Sequence, residues 1–175
     1  LSLWDYEVHR KNPSLLSYSS YASALLRKAA RESHPNRKLS LYQQSREAVD
    51  IGIKQVENST LEDTSPYFFR LFILKGEISG FFKESYEKQL SYYRKAYLLN
   101  ANAESTREMA EIFYRMAKAS NGSERRKFLA DRSLFWFKRY HKLTDFHQGL
   151  IHFKQLFLAE YRKNFPFLES EIDKM

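Results

Sequence analysis

Four patterns of residue type and spacing in this chain could do chemistry. His141, His147 and His152 lie close in sequence, and imidazoles four residues apart on one helix converge on a metal ion. Here 147 and 152 are five apart, about 140° around a helix, so a structural or surface role is expected for them. Glu104, Glu108 and Glu111 recur at helical steps, as paired carboxylates for acid–base work would, yet the flanking sequence supplies no nucleophile. Arg107, Glu111 and Arg115 make a ladder of four-residue steps. Such a ladder either stabilises a helix by a few tenths of a kcal/mol per pair or lines a groove. The run Phe135-Trp136-Phe137 could stack nucleic-acid bases, but neighbours on a helix face different ways, which suits one ring in a core and another against a partner. The glycosylation-like triplets at Asn58 and Asn121 are read as chance matches.

Composition narrows the chemistry further. The chain has no cysteine, so a disulfide framework, a thiolate zinc site, an iron–sulfur cluster and a cysteine nucleophile are all excluded. No cofactor, metal or catalytic activity is expected. The 29 lysines and arginines against 21 acidic residues give a net charge of +8, which attracts nucleic acid, anionic lipid or an acidic protein surface. Basic clusters such as Arg125-Arg126-Lys127 alternate with acidic ones such as Glu57 to Asp63, so a solvated helical surface is expected ahead of a nucleic-acid footprint.

These residues must be positioned by helices. With 43% apolar residues over 175 positions the chain suits one folded domain, and only five glycines and four prolines interrupt steps of three and four. About seven helices are expected. The first is capped at Asn12-Pro13, the second runs from Leu39 to Glu57, and the third starts at Ser65-Pro66. The fourth covers Tyr86 to Leu99, the fifth Glu104 to Ala119 and the sixth Arg125 to Leu143. Asp145 and Gln148 are spaced to box-cap a seventh. Short connections predict antiparallel hairpins at about 13–57, 66–99 and 103–143, with a closing helix at about 145–163. Gly76 and Gly80 within the third helix predict close approach of a neighbouring helix backbone. The apolar start "LSLW" is expected to be covered by an upstream segment or a partner at Trp4. The longest apolar run, "YFFRLFIL" at 67–74, is far short of the roughly 18 residues that suggest a membrane span. Leu1 in place of methionine implies a processed or trimmed chain. The sequence leaves the compartment open: a soluble protein of a bacterial cytoplasm or cell envelope is compatible with it, as is a signal or lipid anchor upstream.

A period runs through the second helices of the hairpins. Tyr42, Ser45, Val49 and Gly52 align with Tyr86, Gln89, Tyr93 and Ala96, and with Ala130, Ser133, Phe137 and Tyr140, at steps of 44 residues. "YASAL" at 21–25 and "MAEIF" at 109–113 share a pattern in the first helices, which the middle hairpin does not match in register. "SYEKQLSYYRKAYLLNANAES" at 85–105 resembles the second helix and inter-repeat turn of the tetratricopeptide repeat, with Tyr86, Tyr93, Ala96 and Leu99 in family-like places. Met109, Ala110 and Phe113 resemble its first-helix packing positions. Gln89 stands where the family prefers alanine, Ala101 where it prefers proline, and the step exceeds the family's usual 34. The resemblance implies an all-α fold of antiparallel hairpins stacked as a short right-handed solenoid. It also implies a protein- or peptide-binding groove lined by the first helices. Arg70, Lys75, Arg107, Glu108, Glu111, Tyr114 and Arg115 on those helices are the expected partner contacts; a basic module binding nucleic acid is the alternative.

Overall fold

The computed structural model of the chain describes residues 14–57, 67–144 and 151–174, with the side chains of 151–154 outside the description. The expected features at Trp4, Asn12-Pro13, residues 58–66, Asp145, His147 and Gln148, and the His152 side chain, fall outside it. The described residues are all-α: eight α-helices and no strand. By its internal packing the chain divides into two compact units, residues 1–100 and 101–175. The first holds α1 (Leu15–Arg31), α2 (Pro35–Glu57), α3 (Phe68–Phe81) and α4 (Tyr86–Leu99). The second holds α5 (Ala103–Ala119), α6 (Ser123–Thr144), α7 (Ile151–Asn164), a 3-10 turn at Pro166–Leu168 and the short α8 (Glu169–Ile172).

Local chemistry sets most helix ends. Ser14, Ser85 and Asn102 each accept a backbone N–H from three residues on, at 3.2, 3.3 and 2.8 Å, satisfying a donor that the first turn leaves open. The second helix starts four residues before the expected Leu39, at Pro35, because the fixed φ of proline suits a first turn and its missing N–H is not needed there. α8 was not legible in advance, being a single turn that follows a proline.

The first and third hairpins, α1–α2 and α5–α6, repeat one another in space. In α1–α2 the buried Ser45 hydroxyl donates across the helix crossing to the Ala22 carbonyl at 3.1 Å, and in α5–α6 the buried Ser133 hydroxyl donates to the Ala110 carbonyl. The second pair lies 88 residues on from the first, from 22 to 110 and from 45 to 133. At the same offset Ala29 matches Ala117, Leu41 matches Leu129 and Val49 matches Phe137, all buried, and the helices themselves start together, Leu15 with Ala103 and Pro35 with Ser123. A small residue on each helix lets the backbones approach, and the serine hydroxyl satisfies itself on the neighbouring carbonyl rather than being left buried and unpaired.

The middle hairpin, α3–α4, crosses differently. Leu71, Phe72, Ile73 and Leu74 are buried in succession, so α3 is apolar on more than one side, as expected. At Gly76 the close neighbour is not a helix backbone: a Cβ there would lie 2.5 Å from the Cζ of Tyr93, whose buried ring fills the space. Gly80 is looser, its nearest neighbour being Gln89 Oε1 at 3.5 Å. α3 ends with Lys83 in the left-handed region, φ 53°, the Lys83 N–H bonding to the Gly80 carbonyl and the Glu84 N–H to the Ser79 carbonyl. That closure usually employs glycine.

Side chains lock the same turn. Glu84 accepts hydrogen bonds from Ser79 and Arg46 and pairs with Lys88 at 3.1 Å, while the Gln89 amide donates to the Glu84 carbonyl at 2.8 Å. Burial pushes the Glu84 carboxyl up, but the bonds from Ser79 and Lys88 and the charges of Lys88 and Arg46 outweigh it and hold the group below its ordinary 4.5. A depressed folded value means stability that is fully present above the unfolded value and lost as pH falls through the folded one. Glu84→Gln is therefore expected to be less stable than wild type near neutral pH, with the difference shrinking as pH drops below about 4.5. Urea midpoints measured across that range check this, and a pH-independent difference would contradict it.

Candidate functional site

An open groove of about 460 Å³ lies within the first unit. α1 gives it Ser23, Leu26, Arg27 and Ala30, one helical face at steps of three and four. α3 gives the opposite wall, Arg70, Leu74, Glu77 and Phe81, by the same periodicity, and Tyr42 of α2 closes the end. Both walls are first helices of hairpins. At its floor Tyr42 and Phe81 stack with centroids 3.5 Å apart and planes within 8°, and Leu74 is buried. Burial raises the Tyr42 phenol above its ordinary value and the Glu77 charge adds to that, so the hydroxyl is neutral at physiological pH. The groove thus offers an apolar floor with two guanidinium groups and one carboxylate at its rim. It presents no nucleophile paired with a base.

The seven expected partner contacts divide between the units. Arg70 lines the groove. Lys75 lies elsewhere on α3, paired with Asp50 at 2.9 Å and over the Tyr92 ring at 5.2 Å. Arg107, Glu108, Glu111 and Arg115 follow one another along α5 as two ion pairs, Arg107 to Glu108 at 2.6 Å and Arg115 to Glu111 at 3.0 Å. Burial and the neighbouring Glu108 raise the Glu111 carboxyl, against the opposing pull of Arg115 and Arg107. Both arginine side chains are more than a third exposed, at 41% and 58%, so each pair contributes little. Arg107→Glu with Arg115→Glu is expected to change unfolding free energy by no more than about 0.5 kcal/mol, read from urea denaturation; a loss well beyond that would make the ladder part of the fold.

Tyr114 faces α7. Its ring meets those of Phe157, Tyr161 and Phe165 at 6.1, 5.3 and 5.5 Å, and its hydroxyl donates to Glu160 at 3.2 Å and accepts from the Asn164 amide at 2.9 Å. The hairpin correspondence gives this meaning. At an offset of 88, the groove positions Ser23, Leu26 and Arg27 become Glu111, Tyr114 and Arg115. The face that meets α3 across the groove beside Leu26 in the first unit meets, beside Tyr114 in the second, the rings of Phe157, Tyr161 and Phe165.

Sequence spacing missed Arg27, Leu26 and Tyr42 as groove residues, although the match of "YASAL" to "MAEIF" already set Arg27 level with Arg115. Of the run 135–137, Phe137 is buried and stacks on Phe157 at 4.0 Å, Trp136 is half-buried and Phe135 is exposed, the division expected for neighbours on a helix. Among the described residues no group of three or more histidine, aspartate or glutamate side chains could hold a metal ion, and no helix is long and apolar enough to cross a membrane. No family model, curated protein or solved structure matches the chain.

Proposed function

We propose that the protein is a non-enzymatic, tetratricopeptide-like solenoid scaffold that holds a peptide segment of a partner protein in the groove between α1 and α3. One observation carries this reading: the groove is open in the first unit, while the equivalent face of the repeat in the second unit takes Phe157, Tyr161 and Phe165. A surface that receives aromatic rings from its own chain in one copy is chemically suited to receive them from another chain in the other. The fitting ligand is a short segment with a bulky apolar residue for the floor of Leu26, Leu74 and Phe81, flanked by a carboxylate for Arg27. Apolar burial supplies most of the affinity and the rim charges supply orientation.

Ala30 gives the test. It is exposed and lines the groove, so Ala30→Trp fills the space while leaving the core intact. Wild-type protein immobilised against lysate of the native organism is expected to retain one or a few proteins through moderate salt, and Ala30→Trp to lose them by at least about tenfold, the effect of blocking a contact worth ~1.4 kcal/mol or more. Retention of the same set by both proteins would remove the groove from the account. Retention of nucleic acid alone, released as salt rises, would favour a basic nucleic-acid module instead.

A further inference from the structure

α6 carries a second surface that shares no residue with the groove. Arg125, Arg132 and Arg139 recur every seven residues, Phe128 and Phe135 recur at the same step between them, and all five are exposed. Seven residues make nearly two turns, so these side chains form one straight stripe about 21 Å long from Arg125 to Arg139. The guanidinium of Arg132 lies 5.3 Å from the Phe128 centroid, and that of Arg139 lies 5.0 Å from Phe135 and 5.8 Å from Trp136. The two rings are 56% and 43% exposed. Stacked in this way, the Arg132 guanidinium has its plane pre-organised for a carboxylate or phosphate.

A second row discriminates between occupants. Glu124 and Asp131, both exposed, flank the stripe on one side at the same seven-residue step. The next member of that row, Lys138, is held by Glu171 at 3.2 Å. A nucleic-acid strand or an anionic lipid surface laid along the arginines would run beside the Glu124 and Asp131 carboxylates, and that juxtaposition is repulsive. A helix of mixed charge meets both rows favourably. A seven-residue period is also the period that keeps two helices in register along a shared seam, which neither a nucleic acid nor a membrane requires.

We propose that the outer face of α6 docks an amphipathic helix of a partner protein, with apolar residues packed on Phe128 and Phe135, carboxylates opposite Arg125 and Arg132, and cations opposite Glu124 and Asp131. The aromatic rings anchor the contact and the two charged rows fix its register.

The probe is a synthetic three-heptad helical peptide built to that pattern, with a scrambled peptide of the same composition as its control. Fluorescence anisotropy with the full chain is expected to show binding of the patterned peptide and at least about tenfold weaker binding of the scrambled one. Phe128→Ala with Phe135→Ala should abolish the difference. Arg125→Glu with Arg132→Glu should abolish binding of the original peptide and restore it for a peptide carrying lysines at the facing positions, a rescue that an unfolded variant cannot give. Equal binding of patterned and scrambled peptides would overturn the proposal. So would failure of the lysine peptide to rescue the charge-reversed protein. Binding of oligothymidylate or of phosphatidylserine-containing vesicles, lost in the phenylalanine double variant while the patterned peptide goes unbound, would overturn it in favour of a polyanion.

Discussion

Tyr161→Ala is expected to cost about 3–5 kcal/mol of unfolding free energy, the range for deleting a fully buried aromatic ring. Tyr161 has no exposed surface and lies at the centre of the aromatic cluster that joins α7 to its hairpin, 4.7 Å from Phe157, 5.3 Å from Tyr114 and 5.4 Å from Phe165. Three rings cannot collapse into the space of a fourth, so the loss combines transfer and cavity terms. Its hydroxyl donates to Ser133, which in turn donates to the Ala110 carbonyl, so the closing helix is tied to the repeat's own crossing bond. Burial pushes the Tyr161 phenol far up, and the group is neutral throughout the physiological range. Tyr161→Phe keeps the ring and removes only the hydroxyl, and is expected to cost about 1 kcal/mol. Denaturant unfolding of both variants separates the two contributions, and a loss below about 1 kcal/mol for the alanine variant would contradict the packing of α7.

Gly76→Ala and Gly80→Ala are expected to move stability in opposite directions. At Gly76 the added Cβ would lie between 2.5 and 2.8 Å from three carbons of the Tyr93 ring, which is itself buried. The ring or α3 must shift, at an overpacking cost of about 1–3 kcal/mol that exceeds the ~1 kcal/mol of helix propensity gained. At Gly80 the Cβ would meet Gln89 Oε1 at 3.5 Å, an ordinary contact, so the propensity gain survives in part and the variant is expected to be stabilised by up to about 1 kcal/mol. Thermal or urea unfolding of the pair checks this with one pair of variants. Equal effects at both positions would mean that Tyr93 does not pack on α3 as described.

What the sequence disclosed, and what it withheld, follows from the range of each interaction. Hairpins were legible because caps and apolar steps act within a few residues, as Ser85 and Asn102 show. The likeness of the first and third hairpins was legible because Ser45 and Ser133, two 44-residue steps apart, make the same buried bond across their hairpins. Gln89, the middle member, does not cross in the same way. α3–α4 instead brings Tyr93 onto Gly76, a large residue against none, which a search for shared residue types does not find.

The groove was half legible. Its walls were expected on first helices and Arg70 was named, but Tyr42 reaches it from a second helix by stacking on Phe81, a contact fixed only by the crossing angle. The position of Tyr114 against α7 rests on partners 43 to 51 residues away, Phe157 to Phe165, and nothing local announces which face a closing helix will cover. The α6 stripe had a readable signal in the seven-residue step of Arg125, Arg132 and Arg139. Attention to neighbours in the run 135–137 hides it, because the period lies across that run.

The most direct measurement of the central claim is photocrosslinking from a benzoyl-phenylalanine placed at Glu77, on the exposed rim of the groove, with the same group at the exposed Glu47 of α2 as its control. In lysate of the native organism, the probe at Glu77 is predicted to capture a discrete protein adduct, mapped by mass spectrometry to a short segment with a bulky apolar residue and an adjacent carboxylate, and that at Glu47 to capture none of it. The same adduct from both positions, or from Glu47 alone, would contradict the groove as the site of partner binding.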